Sequence, residues 1–190
     1  MFRPAQPRDI AAITAIYDAI HTENETGRMT TSWIRGVYPT RETAAASIQR
    51  GDMWVAEAEG RIVAAAKINR EQMPEYAQAA WHWDAPEDQV MVLHTLVVAP
   101  QDSGKGYGSA FVAFYEQYAS QHGCRYLRMD TSAQNLAART LYKHLGYTEA
   151  DIVSGNFNGI AGMQLVCLEK KLSPDTGANF PKKTDRHRAG

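Results

Sequence analysis

The sequence predicts an α/β domain built on a mixed sheet, and three features carry that expectation. Apolar residues recur with period two in some stretches and with helical spacing in others, and the two kinds alternate along the chain. At 190 residues, 44% of them hydrophobic, the chain suits one large domain with a sizeable core. A glycine-rich turn at residues 103–108 joins a strongly apolar strand to an amphipathic helix.

Taken in order, residues 2–5 fit a short first strand. Pro7 suits the first turn of a helix, with Asp9 beside it favouring the helix dipole. Ile10, Ile13, Ile16, Tyr17 and Ile20 then recur at helical spacing. Residues 22–39 show no clean period and read as a loop with irregular helix. Thr40 can cap a short helix that Gly51 ends. Residues 53–58 and 61–69 read as strands joined at Glu59-Gly60, a hairpin signal. Residues 72–88 are polar and aromatic and read as a loop. Residues 90–99 form a strongly apolar strand. Residues 106–122 form a helix with Phe111, Phe114, Tyr115 and Tyr118 along one stripe. A strand at 126–130, a helix at 134–145 buried through Ala138, Leu141 and Leu145, and strands at 147–153 and 164–171 complete the order β-α-α-β-β-β-α-β-α-β-β.

Composition narrows the function. The formal net charge is -1, so nothing points to nucleic acid or a membrane surface. Cys124 and Cys167 stand apart in apolar stretches and read as buried free thiols. The first ten residues lack an apolar core of signal-peptide length, and the apolar stretch at 91–99 is too short to span a bilayer. The expected location is the cytoplasm. His82, His94, His122 and His144 show no ligand spacing, so no metal site is expected. Residues 1–172 form the expected domain. Residues 173–190, with four Lys/Arg against two Asp and few apolar groups, read as a disordered, mildly basic tail.

The segment LVVAPQDSGKGYGSAF, residues 96–111, is the most informative. Glycines there permit positive φ and close approach of a ligand to the backbone. Successive N–H groups leading into a helix N-terminus make an anion site, so the expected ligand is a phosphate or diphosphate. The Walker pattern fails, because Gly106 follows Lys105 where Ser or Thr is required and Ala99 stands at the first glycine position. The dinucleotide pattern fails as well, with Phe111 at the third glycine position. A purely structural turn is the competing reading.

A second segment, NLAARTLYKHLGY at residues 135–147, follows at a sensible distance. Together the two resemble the GNAT acetyltransferase superfamily. Leu96, Val98 and Pro100 match its strand, Gly106 and Gly108 its glycines, and Asn135, Ala138, Leu141, Tyr142, Gly146 and Tyr147 its later helix. Ser103 departs from the family, which usually has Gln or Arg there.

The resemblance implies a mixed, mostly antiparallel twisted sheet flanked by helices, and acetyl-coenzyme A as cosubstrate. The main chain of Leu96, Val97 and Val98 would pair with the pantetheine arm. Ser103, Gly104, Lys105, Gly106, Tyr107, Gly108 and Ser109 would cradle the diphosphate. Asn135 would contact the pantetheine arm or cap its helix. Ala138 lies on the same helix face, and Tyr142 would face the departing sulfur. An N–H near Leu96 or Val97 would hold the thioester oxygen.

The general base is harder to read. His94 is the first candidate, with a reference pKa of about 6.5, because alternation puts it on one face with Leu96 unless a bulge intervenes. The competing reading is a satisfied core histidine. Glu23, Glu25, Asp84 and Glu87 are further carboxylates in the two long loops. Trp33, Tyr38, Trp81 and Trp83, also in those loops, would either wall an acceptor pocket or pin the loops to the core.

The function this implies is transfer of an acetyl group to a primary amine by direct attack in a ternary complex. A non-catalytic acyl-coenzyme A-binding sensor or interaction module is the alternative. The acceptor stays open between small-molecule and peptide amines, and a homodimer suits the family.

Overall fold

The computed structural model describes residues 1–173 of the chain; the expected tail lies, beyond Ser173, outside the described residues. Strands β1 (Phe2–Pro4), β2 (Met53–Ala58), β3 (Arg61–Asn69), β4 (Val90–Val98), β5 (Tyr126–Ser132), β6 (Thr148–Phe157) and β7 (Ile160–Lys171) form one sheet in the order β1-β2-β3-β4-β5-β7-β6. Every neighbouring pair is antiparallel except β4 with β5. Helices α1 (Ile10–Glu25), α2 (Arg41–Arg50), α3 (Tyr107–Gln121) and α4 (Leu136–His144) complete the α/β order that the sequence predicts.

Local chemistry explains the boundaries. Thr40 caps α2, its hydroxyl accepting from the Thr43 N–H at 3.3 Å, and Gly51 ends it at φ +81°. Glu59 and Gly60 both take positive φ, as a two-residue hairpin of the primed kind requires. Asp9 sits in a short 3₁₀ turn, Pro7–Asp9, ahead of α1. Its carboxylate accepts from Arg3 and from the Gln6 N–H, which ties β1 to the helix entry.

Each sheet face buries its own cluster. Phe111, Val112 and Tyr115 of α3 pack on Ala64, Ala66, Met91, Leu93, Leu127 and Met129. On the other face Ile13, Ile16, Tyr17 and Ile20 of α1 and Ala44 of α2 pack on Met53, Val55, Ala65 and Val97. A third cluster joins Tyr76 of the 72–88 loop to Val90, Val92, Phe157 and Leu165. Burying a Leu- or Phe-sized side chain contributes roughly 1.5–3 kcal/mol, so these faces supply the main stabilising term.

Candidate active site

The site begins where the sheet splits. β4 and β5 pair in parallel only over Val90–Leu93 against Tyr126–Met129. Beyond that, β4 stays with β3, pairing Val97 with Ala65 and Val98 with Ala64. β5 stays instead with β7, from Asp130 opposite Cys167 to Ser132 opposite Leu165.

A bulge in β4 coincides with the split. Between the pairs Lys67–His94 and Ala65–Val97, β4 spends one residue more than β3, and Thr95 takes φ +53°. The extra residue reverses the alternation. Met91 and Leu93 face the α3 cluster before the bulge, and Leu96 and Val98 face it after. His94 therefore points to the opposite face from Leu96, which answers the alternation argument for placing them together.

A cavity of about 440 Å³ fills the gap. Leu96, Val97 and Val98 form one wall, and Asp130, Thr131 and Ser132 the other. Asn135, Ala138, Leu141 and Tyr142 of α4 line its side, and Ser103 stands at its turn end. The open side of β4 faces this space, so its main-chain groups can pair with an extended ligand as a neighbouring strand would.

The turn continues this line. Gly104 and Gly106 take φ +77° and +83°. The N–H groups of Gly104, Gly106, Tyr107, Gly108 and Ser109 find no acceptor among the described residues; the first bond of α3 runs from Ala110 N–H to Gly106 O. Free N–H groups at a helix N-terminus favour an anion. Asp102 is fully buried and accepts from both Arg61 and Lys105, which hold its carboxyl well below the usual range. Two cations on one carboxylate leave the turn net positive. Gly108 has a separate reason: a Cβ there would lie 3.4 Å from Leu141 Cδ2, so the glycine lets α3 approach α4. Residues 104–109 lie beyond the cavity lining, as an extension of it at the turn.

Tyr142 is buried, 7% exposed, with its ring edge-on to Tyr147 at 6.1 Å. Burial, and then the charge of Asp130, push its phenol well above the usual tyrosine value. Its hydroxyl has no hydrogen bond among the described residues, although the side chain lines the cavity. Asn135 caps α4, Oδ1 accepting from the Ala138 N–H at 3.2 Å, while its amide N–H₂ stays free at the cavity.

His94 lines the cavity, but its surroundings keep it neutral. Burial and the nearby Lys67 push its pKa down to about 3. Asn69 donates its amide N–H₂ to Asp52 and Glu71, which leaves Oδ1 facing His94 Nε2 at 3.0 Å. Nε2 must then carry the proton and donate. A ring with so low a pKa is a weak base near neutral pH.

Asp130, which sequence reasoning missed, is better placed. It lines the cavity, and burial raises its pKa to about 6. Oδ2 accepts from the Tyr76 hydroxyl at 2.6 Å, and Oδ1 has no donor among the described residues. Glu23 and Glu25 lie in the last turn of α1 rather than in the loop the sequence suggests, and the four candidate carboxylates are engaged or outside the cavity. Glu23 pairs with Arg28 and Glu25 with Arg35, and Asp84 and Glu87 line neither this cavity nor the one beside it.

The aromatic residues divide. Trp33 and Tyr38 wall the cavity. Trp81 packs on Tyr76, with Arg128 4.1 Å above its ring, and so pins the 72–88 loop. The Trp83 ring packs only on its neighbour His82, and it is the Trp83 carbonyl that accepts from Arg128. The 26–39 loop is tied across the gap by Thr30 donating to Gln134 O at 2.9 Å and by the Ser32–Ser132 hydroxyl pair at 2.8 Å. Among the described residues no helix is long and apolar enough to cross a membrane.

Comparison with known proteins gives the family and the fold. The pattern of the acetyltransferase (GNAT) family matches residues 13–147. An uncharacterized N-acetyltransferase of Methanocaldococcus jannaschii is 29% identical over 75 residues, 40% of this chain and 33% of that protein. Another, of Bacillus subtilis, is 34% identical over 61 residues, 32% of this chain and 41% of that protein. The chain thus matches well under half the length of these curated relatives. Among solved structures, a GNAT-family acetyltransferase of Streptococcus agalactiae superposes with TM-score 0.73 at 21% identity, covering 91% of this chain and 95% of that one. A Salmonella typhimurium protein solved with its cofactor acetyl-CoA superposes with TM-score 0.65 at 18% identity, covering 91% and 94%. At these identities the structures establish the fold.

Proposed function

Since the chain belongs to the acetyltransferase (GNAT) family, we propose that it transfers the acetyl group of acetyl-coenzyme A to a primary amine by direct attack while both are bound. One observation carries the reading. The parted edge of β4 runs straight into a turn whose N–H groups are free, and Tyr142 presents an unpartnered hydroxyl to the same cavity.

The residues present fit the cosubstrate. The main chain of Leu96, Val97 and Val98 pairs with the pantetheine arm, and the amide of Asn135 adds a side-chain donor. The free N–H groups of Gly104, Gly106, Tyr107, Gly108 and Ser109, with the Lys105 and Arg61 side chains close by, take the diphosphate. Ser103 contributes main chain only, in place of the longer polar side chain usual in the family. Bound there, acetyl-coenzyme A supplies the acetyl group as an activated thioester.

The protein then contributes charge placement and proton transfer. The N–H of Leu96, on the side of β4 away from β3, donates to the carbonyl oxygen as negative charge grows on it, since Val97 N–H is directed to Ala65. Asp130 takes the surplus proton of the amine, directly or through one water, as the carbon–nitrogen bond forms. Tyr142 donates to the sulfur as the carbon–sulfur bond breaks. We assign the base to Asp130 rather than His94, because its pKa of about 6 matches a base working near neutral pH.

Release of free coenzyme A thiol from acetyl-CoA, followed against a panel of amines, tests this. Amine-dependent release supports the reading. Acetyl-CoA binding without release on any amine favours the non-catalytic module.

A further inference from the structure

A second cavity, of about 290 Å³, adjoins the first on the face carrying α1 and α2. Tyr38, Lys67, Thr95 and Asn158 line both, and a hydrogen bond between the Tyr38 and Thr95 hydroxyls stands at the junction. The two cavities differ in their acids, although Lys67 lines both and Arg28 also lines the first. Asp130 is the acidic residue lining the first. No acidic residue lines the second, whose charged members are Arg50 and Lys67.

Both cations have capacity to spare. The Lys67 side chain is 18% exposed, and its nearest acid, Glu71, lies 3.8 Å away and is itself 65% exposed. Arg50 uses only Nε, donating to Asp52 at 3.2 Å, which leaves its two terminal nitrogens open. Asp52 meanwhile also accepts from Asn69. Tyr17 supplies an independent sign of a ligand. It lines this cavity at 1% exposure, and its hydroxyl is buried with no hydrogen-bond partner. A buried donor without a partner is costly, and a bound acceptor group removes that cost.

We propose that the acceptor is a small amine carrying an anionic group, a carboxylate or phosphonate, and that Lys67, Arg50 and Tyr17 hold this group while the amine enters the first cavity. The proposal rests on the acetyl-transfer reading and deepens it. A zwitterion meets a complementary charge at each end, the ammonium at Asp130 and the anion at Lys67. An uncharged or polycationic amine leaves Lys67 with only the long contact to exposed Glu71 and the field of Asp52, which Arg50 and Asn69 already engage. A charge-assisted hydrogen bond to such a group is worth roughly 10–100-fold in discrimination, because losing the anion leaves the site's donors unpaired.

The test compares matched pairs. Free α-amino acids and aminoalkylphosphonates are assayed against carboxamides of the same amines, and against polyamines and a peptide N-terminus. The expected result is a kcat/KM at least about tenfold higher for one or more anionic amines than for the matching carboxamide. In Lys67→Met that ratio falls to within about threefold of unity, and in Arg50→Gln it falls part of the way. Retained acetyl-CoA binding by calorimetry shows that each variant is folded. Equal or better turnover of the carboxamides, polyamine or peptide overturns the proposal. So does an acid-to-amide ratio that both variants leave unmoved, or no turnover of any anionic amine by a chain that binds acetyl-CoA. Failure of the parent chain to bind acetyl-CoA at all removes the underlying reading as well, so the two failures are distinguishable.

Discussion

Replacing Asp130 by Asn separates catalysis from stability, and both effects follow from one property of the site. Burial raises the carboxyl from 3.8 to about 6 in the folded chain. A raised folded value means that the folded state holds an extra proton between pH ~4 and ~6, so this contribution is fully present below pH 4 and lost as pH rises to 6. About two units at 1.36 kcal/mol each set an upper bound of about 3 kcal/mol of destabilisation at pH 8. Asn keeps an acceptor for the Tyr76 hydroxyl, whose bond to the carboxylate the value of about 6 already includes, and the partial exposure of Asp130 to the cavity screens part of that penalty. A net gain of about 1–2 kcal/mol remains, a rise in Tm of roughly 2–6 °C at pH 8 that disappears at pH 4. Activity should move the other way. The parent's kcat/KM should climb with pH through about 6 and then level, as the base form fills. Asp130→Asn should cost roughly 10²–10⁴-fold and abolish that limb. Scanning calorimetry at the two pH values and a pH–rate profile make the comparison. A variant that keeps both the rate and the limb near pH 6 refutes the assignment of the base. A lower Tm at pH 8 refutes the claim that the buried charge is costly.

Tyr142→Phe should lower turnover about 100-fold, or ~2.7 kcal/mol of barrier, with much less change in acetyl-CoA affinity, since the hydroxyl acts on charge that appears only in the transition state; steady-state kinetics with calorimetry checks both. His94→Gln should change the rate by less than about fivefold and leave the pH profile above 5 intact, because a ring with pKa about 3 is already neutral there. Gly106→Val should weaken acetyl-CoA binding at least ~tenfold while the chain still folds. The residue stands at φ +83° with open space around it, so the cost falls on the turn that presents the N–H groups rather than on packing.

Apolar periodicity and turn chemistry made the order of the strands and helices readable. Thr40, Gly51, Glu59 and Gly60 all behave as their residue types dictate. What stayed hidden depends on tertiary context. The bulge at Thr95 has no local signature, since nothing in LHTLVV separates a residue forced to φ +53° from an ordinary strand residue, yet it turns His94 away from Leu96. Asp130 ends an unremarkable strand in sequence. Its importance comes from β5 leaving β4 there and from Tyr76 arriving out of the loop to hold one oxygen. The last hairpin was underestimated because SGNFNGIAGM reads as turn-like. Phe157 and Ile160 pair across Asn158-Gly159, both at positive φ, and extend β6 and β7 toward the cavities. Lys67 is a single charge in an apolar strand by sequence, and only the meeting of two cavities gives it a role.

The most direct measurement of the central claim is a crystal structure of the chain with acetyl-coenzyme A. The account predicts pantetheine lying along Leu96–Val98 in the gap between β4 and β5, the diphosphate within hydrogen-bond distance of the free N–H groups of Gly104 and residues 106–109, and the sulfur facing the Tyr142 hydroxyl. Acetyl-coenzyme A bound away from this gap, or a gap closed by β4 pairing with β5 beyond Leu93, would contradict it.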